Sequence, residues 1–141
     1  MKTILGYLGL VPFIVLAALT VWSPLTQQSD WVFIFSVYSA GIAIFMAGTL
    51  WGRVVDSDST PVLLMSNIIT LVIIGLLIVA TGNQPLMLAG LTACHIANLA
   101  CEPNKGNRPY FRLHLILTSV VVLSHLAILG VLYHGESVSL L

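Results

Sequence analysis

Two short runs of polar side chains interrupt an otherwise apolar chain. His95, Asn98 and Glu102 are spaced three and four apart, which puts them on one face of a helix. His114, Thr118 and His125 share a face of a second segment, because eleven steps of about 100° return to within about 20° of the start. His125 then lies roughly 16 Å further along that helix than His114. Imidazoles so placed have three chemical uses. They could bond Asn98, Asn67 and backbone carbonyls and fix how helices pack, at about 1 kcal/mol per bond in a membrane. With Trp51 beside them they could receive the polar head of a quinone, lipid or similar amphiphile. Or His95 and His114 could hold the iron of a haem b from facing helices. No cofactor is demanded by the sequence; haem b and quinone are the two it could accommodate. Cys94 and Cys101 are seven apart, roughly 10 Å along a helix and too far for a disulfide. They read as thiols packing like small hydrophobes, and no metal site is expected.

The elements that must position these groups follow from charge. Only 7% of the 141 residues are charged and 58% are hydrophobic, against about 25% charged in a typical soluble domain. The charges leave four uncharged stretches of 27, 22, 43 and 23 residues. A membrane crossing takes about 20 residues, so three stretches fit one crossing each. The long one fits two, with Thr81-Gly82-Asn83-Gln84-Pro85 as the turn between them. The expected spans are residues 4–23, 31–52, 61–80, 84–100 and 109–133, in a single domain over 1–141. Helix is nearly forced, because backbone groups in lipid must satisfy one another within the segment. The apolar run after Lys2 is longer than a signal-peptide core of about 7–15 residues and reads as a retained first span.

With the N-terminus on one side, Lys2, Arg53, Lys105, Arg108 and Arg112 all fall on that side, and the other carries no Lys or Arg. Positive residues mark the cytoplasm, so the C-terminus is expected outside. Trp22, Trp31, Trp51, Tyr110 and Tyr133 sit near span ends, where interfacial aromatics belong. Spans four and five are joined by a short loop and should be neighbours. That brings His95 and His114 to similar depth beside Asn98, Glu102, Arg112 and Trp51, in a polar pocket on the cytoplasmic side. Asn67 lies well inside span three and needs a partner. Pro12 interrupts span one and frees the Leu8 carbonyl; an ordinary kink is the expectation, a ligand-lining break the alternative. In span two, Gly41, Gly48 and Gly52 belong to a small-residue set, with Gly48 and Gly52 in a Gly-x-x-x-Gly pair. Such residues let helices approach closely, and internal packing is expected of them before a dimer seam.

Three segments resemble a known family: Leu8-Gly9-Leu10-Val11-Pro12-Phe13, Gly48-Thr49-Leu50-Trp51-Gly52, and Tyr110 through His114 to Thr118. They resemble domain of unknown function 3429, itself similar to transmembrane protein 69 of animals. The pattern differs at Leu50, where the family often has His, and at His114, where it often has a basic residue, commonly Arg. The resemblance implies a small polytopic membrane protein over nearly the whole chain and carries no activity with it.

Composition also excludes. Zero net charge and no basic run give nucleic acid no electrostatic hold. The loops are too short for a soluble catalytic domain, and no catalytic constellation is evident. Transport finds little support, since His125 is the only ionisable group near mid-membrane and no inverted repeat is visible. The expected molecule is an all-α integral membrane bundle of five transmembrane helices in the inner membrane. It serves as an accessory or assembly partner of a membrane complex, or binds a hydrophobic ligand. A haem- or quinone-linked redox protein using His95 and His114 is the alternative, and a small transporter the third. Its expected partners are the bilayer and either another membrane protein or a second copy.

Overall fold

The structure, a computed structural model, describes residues 2–57, 59–80, 82–103 and 105–139, with side chains from 4 to 134 within those ranges. Thr81, first residue of the expected mid-chain turn, lies outside the described residues. The described chain is helical: α1 (Lys2–Leu8), α2 (Val11–Trp22), α3 (Leu25–Val54), α4 (Thr60–Val79), α5 (Gln84–Ala100) and α6 (Arg108–Ser139). Among the described residues there is no strand. Four stretches are long and apolar enough to cross a bilayer: Ile4–Trp22, Leu25–Val54, Thr60–Val79 and Arg108–His134. They mark a membrane protein. Large apolar side chains such as Leu71, Ile78 and Val79 face outward, as expected where lipid is the solvent. The remaining helix, α5, has 17 residues and is about 25 Å long. It carries Thr92, His95 and Asn98.

Boundaries depart from expectation at two places. The stretch 24–30, expected as a loop, is instead the start of α3. Pro24 takes an extended conformation just ahead of Leu25, and the polar residues that follow tolerate helix well enough to continue it. The first span is broken not at Pro12 but at Gly9–Leu10. Pro12 sits in the first turn of α2, where its missing N–H would have had no partner anyway. The Tyr38 hydroxyl donates to the Gly9 carbonyl at 2.8 Å, tying the break to α3.

Helix α3 is the centre of the bundle, packed against α2, α4 and α5. Its buried face is built of small residues, Ser36, Ser39, Ala40, Ala43 and Ala47, at 0–2% exposure. Small side chains leave the helix's own carbonyls within reach of neighbours. Ser66 of α4 donates to the Ala47 carbonyl at 2.8 Å, and Asn98 of α5 to the Ala43 carbonyl at 3.0 Å. One core cluster joins α3, α4 and α5 around Ala43, Ile73, Leu91 and Cys94. A second joins α2, α3, α5 and α6 around Phe13, Phe35, Leu88 and Ile128. Cys94 is buried and both cysteines are free thiols.

The glycines expected to pack internally do not. Gly41, Gly48 and Gly52 lie on the exposed side of α3, and a Cβ added at any of them would meet nothing within 4 Å. The buried face belongs to the alanines and serines one helical phase away. The close approach is instead at Gly90, where an added Cβ would lie 2.6 Å from a Leu76 methyl. Gly90→Val is therefore expected to displace the Leu76 side chain from the α4–α5 contact and lower the melting temperature in detergent, by about 1–3 kcal/mol of overpacking strain. Gly48→Val, onto open surface, is expected to leave it nearly unchanged. Equal melts for the two variants would contradict this packing.

Candidate functional site

Two polar clusters and a cavity between them lie within the bundle. At the end where α3 and α5 finish and α6 begins, Arg53 donates to Glu102 at 2.6 Å. The same guanidinium bonds the Tyr110 hydroxyl and lies 4.2 Å from that ring's centroid. The Glu102 side chain is fully buried, and its second oxygen is 3.2 Å from His114 Nδ1. With the carboxylate accepting, His114 donates from Nδ1. The Arg53 charge also complements the C-terminal end of α3. This cluster ties three helix ends together.

Nearer the middle, Ser39 Oγ lies 3.0 Å from His95 Nε2 and 3.0 Å from His125 Nε2. His125 Nδ1 is 2.8 Å from the Val121 carbonyl, so Nδ1 donates and a neutral ring has its lone pair on Nε2. The Ser39 hydroxyl has one proton and gives it to that lone pair. It must then accept from His95 Nε2–H, leaving the His95 lone pair on Nδ1. The bonds run one way: His95 to Ser39 to His125 to the Val121 carbonyl. Phe13 and Phe35 pack edge-on around the two rings, shielding the chain from lipid.

Between these clusters is a cavity of about 150 Å³, lined by the α1–α2 break (Leu5, Gly6, Gly9, Leu10, Phe13) and by α3, α5 and α6. Its polar lining is His95, Asn98, His114 and Thr118. Its rim reaches Leu5 and Phe45, which are 60% and 65% exposed on the outer surface. Asn98 is 1% exposed. Its Nδ2 is bonded to Ala43, and its Oδ1 is buried with no hydrogen-bond partner. A buried amide oxygen without a partner costs about 1–3 kcal/mol, so something at this position should supply a donor.

A family model described as "Protein of unknown function (DUF3429)" matches residues 1–130. The chain belongs to the DUF3429 family. No curated protein and no solved structure matches it. The family match runs through Gly130, so every residue that lines the cavity falls within the DUF3429 region, as do both polar clusters.

The structure brings together four of the expected pocket residues. His95, Asn98 and His114 line the cavity, and Glu102 holds His114. The expected facing of His95 and His114 is not what pairs the rings. His95 pairs with His125, their centroids 5.7 Å apart, through a serine of α3 that stands between them. Trp51 and Arg112 are exposed and do not line the cavity. Asn67, expected to need a partner inside, is exposed and donates to the Leu63 carbonyl of its own helix at 2.9 Å; the neighbouring position, Ser66, takes the inward phase. Three contributors to this region escaped the sequence reading. They are Ser39, Arg53 beyond its part in the division of charge, and the helix break at Gly9 rather than Pro12. A signal existed for Ser39: it lies four residues before Ala43 and eight before Ala47, on the helix face that the alanines mark as buried.

Proposed function

We propose that this DUF3429 chain crosses an inner membrane five times, N-terminus in the cytoplasm and C-terminus outside, and binds a lipophilic molecule. Its cavity takes the polar end of that molecule. For the fifth crossing, the support is where α5 begins and ends. Gln84 at its start bonds Ser29 near the start of α3, and Glu102 just past its end bonds Arg53 near the end of α3. The two helices run side by side over the same depth, and 17 residues lie within the range that spans a bilayer. The five-to-none division of Lys and Arg supports the orientation. In this topology the cavity lies in the cytoplasmic leaflet.

The observation that carries the binding reading is the Asn98 Oδ1 left without a donor beside a cavity whose rim reaches the lipid-facing surface. Apolar walls with few, fixed polar groups are what small-molecule sites share. A cavity of roughly this volume holds a benzene-sized group, so a head group fits and a tail would lie along Leu5 and Phe45 in the bilayer. No catalytic role is assigned. Thr118→Leu fills the cavity with apolar volume and is expected to remove a co-purifying lipophile, identified by native mass spectrometry, while the protein still melts cooperatively. A lipophile retained in full by this variant would place its binding elsewhere.

A second reading, an accessory subunit docked on another membrane protein, is favoured by the open edge of α3. Gly41, Gly48 and Gly52 leave room there for a partner helix. Affinity purification in mild detergent tests it, with Gly48→Leu expected to release the partner.

A further inference from the structure

The hydrogen-bond polarity of the bundle dictates what kind of head group the cavity accepts. Three of its four polar lining residues have used their donors elsewhere. Asn98 gives its Nδ2 to the Ala43 carbonyl. That assignment is fixed, because a carbonyl needs a donor opposite it. His95 gives Nε2–H to Ser39, since the Ser39 proton goes to His125. His114 gives Nδ1–H to Glu102. In the neutral ring, Nδ1 donating to Glu102 leaves the lone pair on Nε2. What remains on the three residues is acceptor capacity: Asn98 Oδ1, a lone pair on His95 Nδ1 and a lone pair on His114 Nε2. Thr118 can donate or accept.

We propose that the cavity selects an uncharged hydrogen-bond donor, an alcohol or a phenol on an alkyl tail, over ethers, ketones, carboxylates and phosphates. This rests on the lipophile-binding reading above. A hydroxyl supplies the donor that Asn98 Oδ1 lacks and can accept in return from Thr118. A carbonyl or ether oxygen brings a further acceptor against three acceptors and leaves Asn98 unpaired. A carboxylate or phosphate adds to that mismatch a charge for which the lining offers no cation, because Arg53 is held by Glu102 and Tyr110. A reduced quinol ring satisfies the pattern; its oxidised form, with two acceptors and no donor, does not.

The test uses the full chain in lipid nanodiscs and three photoreactive alkyl probes of identical length, ending in a hydroxyl, a methyl ether or a carboxylate. Labelling is mapped by peptide mass spectrometry. The hydroxyl probe is expected to label the segments containing Leu5–Phe13 and Phe45–Met46 about tenfold more than the ether, the worth of one buried hydrogen bond. An alkylphenol should compete it away. Equal labelling by hydroxyl and ether, or preference for the carboxylate, overturns the head-group inference while leaving a lipophile site standing. Labelling of these segments by every probe no stronger than at lipid-facing Leu71 overturns both. In Asn98→Leu the hydroxyl-to-ether ratio is expected to fall to about one, and an unchanged ratio removes Asn98 from the recognition. Because Asn98 also holds Ala43, the probe series on the unaltered chain decides the matter if that variant fails to fold.

Discussion

Arg53→Met is expected to destabilise the bundle by about 3 kcal/mol, near the low end for breaking a buried ion pair. The size follows from an asymmetry. The Glu102 side chain has no exposed surface, whereas Arg53 keeps 30% of its own. Losing the guanidinium therefore takes a cation away from a carboxylate that water does not reach. It also detaches Tyr110 and with it the first turn of α6. His114 stays on the other carboxylate oxygen. Adding Glu102→Gln to Arg53→Met should recover most of the loss. The amide keeps an acceptor for His114 and removes the buried charge, in line with neutral replacements of buried pairs being well tolerated. Thermal melts of the single and double variants in mild detergent check both statements. A single variant that melts like the parent would show that the pair contributes nothing, and a double variant worse than the single would show that Glu102 does not depend on Arg53.

This ion pair also shows how far the sequence could be read. Uncharged stretches of membrane length located the helices and most of their ends, because a ten-charge chain in lipid has little freedom over where helices sit, but α3 begins at Leu25 rather than 31 and α6 runs to Ser139 rather than 133. Helical phase put His95 with Asn98 and His114 with Thr118, since that needs only the 100° step within one element. What did not follow was anything that depends on a third helix. His95 and His114 were adjacent by loop length, but Ser39 of α3 intervenes and hands His95 to His125. Asn67 was polar and deep, so a partner within the bundle was the natural inference, yet a helix's own carbonyl satisfied it from the lipid face. The glycines of α3 looked like packing residues, but alanine performs that task equally well where side-chain donors from α4 and α5 want the carbonyls behind it. Which small residue faces inward depends on the orientation of the whole helix, and composition does not encode that.

Ser39 yields the second large effect. Ser39→Ala removes one hydroxyl and unpairs two imidazoles at once, His95 as donor and His125 as acceptor, both under 5% exposed. Intramembrane hydrogen bonds are individually weak, averaging about 0.6 kcal/mol in double-mutant cycles, but that figure assumes the freed groups find other partners. Here Phe13 and Phe35 wall the rings in. The expected loss is about 2–4 kcal/mol, one to two kcal/mol for each unpaired buried group. Ser39→Thr keeps the hydroxyl and should retain most of the stability apart from the strain of one added methyl. His125→Phe should rescue Ser39→Ala in part, because an aromatic ring suits the box formed by Phe13 and Phe35 and needs no partner. The cycle separates a polar chain from simple packing. If Ser39→Ala and His125→Phe were additive, the two residues would be neighbours without being bonded, and the donor order that leaves a lone pair on His95 Nδ1 would lose its foundation. A non-additive rescue, read from melts of the four proteins, is the result that this order requires.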